Sequence, residues 1–191
     1  MAITVDPRIA VHRLDLAHYE RMIDRGVFDD TDRVELLKGM LSEMVPQGED
    51  HAGLIVWLTE EFAIHARTGA YAVRPQLPIR LPPDSMPEPD LALTARPLGG
   101  PTHPEHAWLA IEVSVTSRAI DLGVKAELYA AAGIDELWVI DVPARTVHVH
   151  REPTSDGYAD ISPVTTGELR CALPGAPAID VGELFGVLDG S

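Results

Sequence analysis

Three short apolar runs, DLALT (90–94), WLAIEVS (108–114) and ELWVID (136–141), set the strongest limit on what this chain can fold into. Each has the length of a strand, and the first two have the mostly apolar make-up of strands buried on both faces, an environment found in the middle of a helix-covered sheet. Between the second and third lies AIDLGVKAELYAAAG, rich in Ala and Leu and closed by Gly133, which predicts one helix with a glycine C-cap. RTVHVHR, after the turn Val142-Pro143-Ala144, supplies a further strand. This order calls for an α/β (α+β) fold, a mixed sheet flanked by helices.

Upstream, LDLAHYERMIDR (14–25) places Leu14, Tyr19, Met22 and Ile23 near helical spacing before Gly26. VELLKGMLSEMV (34–45) reads as a hairpin turning at Lys38-Gly39, where glycine tolerates a positive φ. An N-terminal helix and hairpin are therefore expected. A longer helix is predicted from Glu49 to about Arg67, ending near Thr68-Gly69, with Leu54, Ile55, Leu58, Phe62 and Ile64 on its apolar stripe. YAVRPQLPIRL carries Pro75 and Pro78, which confine it to a sheet edge or to strand ends. From Arg151 onward the sequence predicts loops, weak strands and a final AIDVGELFG turn.

A chain of 191 residues can bury a full core, so one domain spanning residues 1–191 is expected. Hydrophobic residues at 46% and charged residues at 24% exclude a disordered or fibrous class. The N-terminus lacks the apolar run of a signal peptide and no stretch reaches the length of a membrane span, so a cytoplasmic protein is expected. Cys171 stands alone, which rules out an internal disulfide and leaves no second thiol for a zinc site. Thirty acidic against 15 basic residues give a net charge of −15. That balance repels phosphate backbones and supplies no general counterion-release affinity, so any contact with nucleic acid must come from a local groove.

Chemistry concentrates in the middle of the chain. Asp90 opens one buried strand directly after Pro89, Glu112 lies inside the next, and Lys125 follows in the predicted helix. Adjacent strands run about 4.8 Å apart, so two carboxylates at matching heights can share one hard cation such as Mg²⁺. An ionised carboxylate within Leu109-Ala110-Ile111-Glu112-Val113 demands a partner, either a divalent ion or an arginine or backbone donors at a strand end. Only Lys38 and Lys125 among the basic residues are lysine, which makes Lys125 conspicuous in an arginine-rich chain. At helical spacing it shares a face with Asp121 and Tyr129. Two roles are open to it, a surface ion pair with Asp121 or a desolvated ammonium beside a metal. His148 and His150 alternate on one strand, the pattern of a solvated face, and His103 and His106 sit in a loop; neither pair has a recognised zinc spacing.

The segments PEPD, IEVSVTS and DLGVKAELYAAAGIDELWVID resemble the Uma-two family of restriction endonucleases. The likeness runs from about Val34 to Arg151 and more weakly to the C-terminus. It implies a nuclease of the PD-(D/E)XK type, with a mixed sheet flanked by helices. By that resemblance Asp90 and Glu112 bind Mg²⁺, with Mn²⁺ as substitute, and Lys125 joins them as a catalytic residue. The superfamily's lysine usually stands two residues after the acid; here Ser114 takes that place and Lys125 the lysine's. Glu35 and His51 also match positions of the family, and Gln76 is a further candidate. Glu35 would complete the metal site or assist a water, and His51 would contact a phosphate or cap its helix.

The function implied is Mg²⁺-dependent hydrolysis of phosphodiester bonds in nucleic acid, with DNA the expected substrate. A homodimer is expected by analogy with duplex-cutting enzymes. The alternative from another class is a catalytically inactive nuclease fold that binds a partner protein, which the −15 charge would suit. A third is a metal phosphoesterase for small molecules.

Overall fold

The computed structural model describes residues 8, 10–29, 31–67, 71–96 and 102–190. Helix α1 (Leu16–Asp24) starts at Asp15, whose carboxylate caps the His18 N–H at 2.7 Å. It leads to a hairpin of β1 (Val34–Leu37) and β2 (Met40–Glu43). Lys38 and Gly39 both take positive φ, 49° and 74°, the geometry of the primed turns that match strand twist. A Cβ on Gly39 would also lie 2.7 Å from the Arg13 Cβ and 2.8 Å from the Leu14 carbonyl, so the expected turn is fixed by space as well as by φ.

Helix α2 (Glu49–Ala66) follows, ending one residue before the predicted Arg67; Thr68-Gly69 lie outside the described residues. The main sheet has six strands in the order β3-β4-β5-β6-β7-β8: β3 (Tyr71–Pro75), β4 (Leu91–Ala95), β5 (Leu109–Ser114), β6 (Glu136–Asp141), β7 (Thr146–Thr154) and β8 (Gly157–Val164). β5 and β6 run parallel and every other pair is antiparallel, so the sheet is mixed as expected. Every residue of β5 and β6 is buried. β3 lies at the edge and ends on Pro75, where a missing N–H costs no ladder bond.

Side-chain alternation divides the interior into two layers. Leu91, Leu93, Leu109, Ile111, Trp138 and Ile140 pack with Leu54, Leu58 and Phe62 of α2 on one face. Ala92, Ala110, Leu137 and Val139 face helix α3 (Ala126–Ala131) on the other.

Three expectations are corrected. The run predicted as one α-helix is a π-helical turn over Ile120–Lys125 that continues into α3, although Gly133 ends it with φ 73° as predicted. The region after Arg151 is not mostly loop: β8 pairs with β7 along nearly its whole length, and Pro163 is tolerated because β8 is an edge. AIDVGELFG forms strand β10 (Ile179–Asp180), paired with β9 (Glu168–Leu169), and helix α4 (Val181–Gly186), whose first turn Asp180 caps at 3.0 Å. No helix among the described residues is long and apolar enough to cross a membrane.

Candidate active site

Antiparallel pairing of β4 with β5 sets Leu91 opposite Ile111, so Asp90, the next residue out, comes beside Glu112. Because Leu91 and Ile111 belong to the α2 layer, strict alternation turns Asp90 and Glu112 toward the α3 layer. Asp90 is fixed from three sides. Its Oδ2 accepts the Val113 N–H at 2.7 Å, its Oδ1 lies 2.9 Å from His51 Nε2, and its carbonyl accepts the Gln76 N–H at 3.1 Å. His51 therefore does not cap α2, whose N-cap is Gly48 with no side-chain bond. Its Nδ1 is buried without a partner. Gln76 supports Asp90 through its backbone, and its side chain is not among those lining the cleft described below.

Glu112 is 2% exposed and its compensator is neither an arginine nor a backbone donor. The Lys125 ammonium lies 3.2 Å from both of its oxygens, and the Tyr129 hydroxyl donates to Oε1 at 2.6 Å. Lys125 also reaches Glu35 Oε2 at 3.3 Å, joining the hairpin to the main sheet. The surface pair with Asp121 is thereby overturned: Lys125 is only 6% exposed. Burial pushes the Glu112 carboxyl well above the usual range, with Lys125 opposing and Asp90 adding to the rise. Burial alone would lower the Lys125 ammonium, but Glu112 and Glu35 outweigh it and hold the group above the ordinary lysine value. Tyr129 is raised by burial and then by the Glu112 charge, so it remains a protonated donor.

These groups open into a cleft of roughly 350 Å³, walled on its far side by the segment from Ser42 to Gly48. The hairpin is pinned there because Met86 N–H donates to Leu36 O at 2.7 Å and Lys38 N–H to Ser85 Oγ at 2.9 Å. Glu88 N–H donates to Glu35 Oε2 at 3.1 Å, tying the hairpin to the PEPD segment. Three further carboxylates line the cleft that sequence reasoning did not place in the site, Glu43, Glu88 and Asp121. Glu88 and Asp121 are raised chiefly by burial, opposed by Arg33 at Glu88 and by the Ser117 hydroxyl bonded to Asp121. Asp121 had a signal in its helical spacing to Lys125; Glu88, within a proline-rich segment, had none beyond its neighbours.

A hard divalent cation fits this donor set. Carboxylates outnumber the one buried ammonium, and Glu112 Oε2 accepts from Lys125 alone, which leaves it a free lone pair. No cluster of three or more His, Cys, Asp or Glu among the described residues is arranged to hold a metal, so a closed zinc-type cage is absent there. Magnesium, which keeps several waters and takes one or two carboxylates, asks for no more than Asp90 and Glu112.

The other histidines lie elsewhere. His103 approaches Arg74 at 3.5 Å and His106 approaches Asp135 at 3.4 Å. The solvated face expected for His148 and His150 is a correction: His150 is 3% exposed and stacks edge-on against Tyr158 with ring centroids 5.6 Å apart. α3 packs over β7 and β8, which covers that face.

A mixed, helix-flanked sheet with an acidic cleft at the meeting of two buried strands defines the restriction-endonuclease-like class. The chain belongs to the family described as Uma2, "Putative restriction endonuclease", which matches residues 16–180. A crystal structure from Anabaena variabilis ATCC 29413, described as "a putative nuclease belonging to DUF820", shares the fold with a TM-score of 0.72 at 17% identity. The match covers 92% of this chain and 99% of that one. No curated protein matches the chain.

Proposed function

We propose that this chain is a divalent-cation-dependent nuclease that hydrolyses phosphodiester bonds in nucleic acid, with DNA as its first substrate. One observation carries the reading: Asp90 and Glu112, from adjacent strands, lie on the same face of the sheet, and a buried ammonium, Lys125, sits against Glu112. Family membership and the structural likeness support the nuclease class.

Asp90 and Glu112 would hold Mg²⁺ or Mn²⁺. Such an ion would supply charge neutralisation at the phosphate and acidify a water it holds. The protein's own part is positioning. His51 and the Val113 N–H fix the Asp90 carboxylate, and Tyr129 fixes Glu112, so neither has to be ordered at the moment of reaction. Lys125 places a fixed positive charge beside the ligands, where negative charge grows on the phosphoryl group. The Ser42–Gly48 wall shields the site on one side.

The test is incubation of the purified protein with duplex DNA, single-stranded DNA and RNA in Mg²⁺ or Mn²⁺, beside Asp90→Asn. Cation-dependent cleavage lost in the variant supports the reading. Absence of cleavage under every condition, with no effect of the substitution, sinks it. A second reading, a non-catalytic interaction domain, is favoured by the −15 charge. Calorimetric titration with Mn²⁺ separates the two, because only the enzyme needs a cation site that disappears with Asp90.

A further inference from the structure

The ammonium of Lys125 occupies a position of a particular kind. It bridges two buried carboxylates from different parts of the chain, Glu112 on β5 and Glu35 on β1, at 3.2 and 3.3 Å. All three side chains are more than nine-tenths buried, so water contributes little to their charge balance. A cation between two carboxylates is the arrangement that a second divalent ion could adopt beside one that Asp90 and Glu112 would hold.

We infer that the site takes one divalent ion only, because the Lys125 ammonium stands permanently where a second would bridge Glu35 and Glu112. The inference rests on the proposed cation-dependent nuclease and specifies its metal stoichiometry. Two further observations agree. Glu35 Oε2 already accepts from the Glu88 N–H and lies 3.3 Å from the Lys125 ammonium, so that oxygen faces two positive partners. Glu112 likewise has both oxygens engaged, Oε1 accepting from Tyr129 with Lys125 3.2 Å away and Oε2 accepting from Lys125, which leaves one lone pair on Oε2 as its spare capacity. Glu35 is then a positioning residue for Lys125 and not a ligand of the ion.

Mn²⁺ binding followed by electron paramagnetic resonance and by calorimetry reads this directly. The wild-type protein is expected to bind one Mn²⁺ per chain, and Lys125→Arg, which keeps the cation, also one. Lys125→Met is expected to bind two, with dipolar broadening of the Mn²⁺ signal, and Lys125→Met with Glu35→Gln to return to one. Two ions in the wild type overturn the inference and leave the nuclease reading standing. One ion in a folded Lys125→Met overturns it as well, and no ion at all overturns both. Should Lys125→Met fail to fold, Glu35→Gln in an otherwise unaltered chain decides: a loss of Mn²⁺ affinity beyond about a hundredfold, more than a lost outer partner costs, refutes the assignment, and a smaller loss upholds it.

Discussion

The Tyr129 hydroxyl donates to Glu112 Oε1 at 2.6 Å, and both side chains are cut off from solvent. Tyr129→Phe deletes that donor and leaves the oxygen to Lys125. The expected result is a stability loss of about 1–3 kcal/mol by urea denaturation, the cost of an under-satisfied buried acceptor. Mn²⁺ affinity should fall about tenfold or more, as when the outer partner of a metal ligand is lost. An affinity unchanged from wild type would show that Tyr129 does not position Glu112 for an ion.

Asp90→Asn keeps an oxygen to accept the Val113 N–H, so the fold should hold to within about 1 kcal/mol. Removing the charge should nevertheless abolish cation-dependent cleavage by about a hundredfold or more, since a ligand matters at least as much as its outer shell. Parallel thermal melts and cleavage assays check the separation of stability from activity.

Lys125→Met strands Glu35 and Glu112 as buried carboxylates without their cation. Breaking a buried pair in this way should cost about 3–5 kcal/mol at neutral pH. The Glu112 carboxyl is already pushed upward by burial, so its ionised form is the costly one, and the deficit should shrink as pH falls and protons neutralise it. Denaturant midpoints of wild type and variant, compared at pH 8 and pH 5, test the sign.

His150 is held down to about 4 by burial and by the neighbouring His148, below the ordinary 6.5. The unfolded chain therefore takes up this proton first. Its contribution to stability is complete above about 6.5 and is lost as pH falls toward about 4. His150→Leu should flatten the stability profile across that window, and equal slopes for wild type and variant would contradict the assignment.

Much of this was written locally in the chain. The hairpin turn at Lys38-Gly39, the edge position of Pro75 and the strands carrying Asp90 and Glu112 all follow from backbone preference and hydrophobic period, and the structure has each of them. What escaped depended on distant partners. The buried state of His150 arises because α3 and Tyr158 cover β7, which alternation along β7 alone cannot report. The π-helical winding at Ile120–Lys125 left no mark in a composition that suits an α-helix equally well. Lys125 was legible as an unusual residue, whereas its bridge between Glu35 and Glu112 needed the docking of the hairpin onto Leu36–Met86 contacts that no local pattern encodes.

Synthesis runs from the N-terminus, so Glu35, Glu88, Asp90 and Glu112 all emerge before Lys125. Until the crossover helix follows, these acids have no buried ammonium to balance them. Every carboxylate that lines the cleft is made before the ammonium that balances them, so the site can be completed only from residue 125 onward.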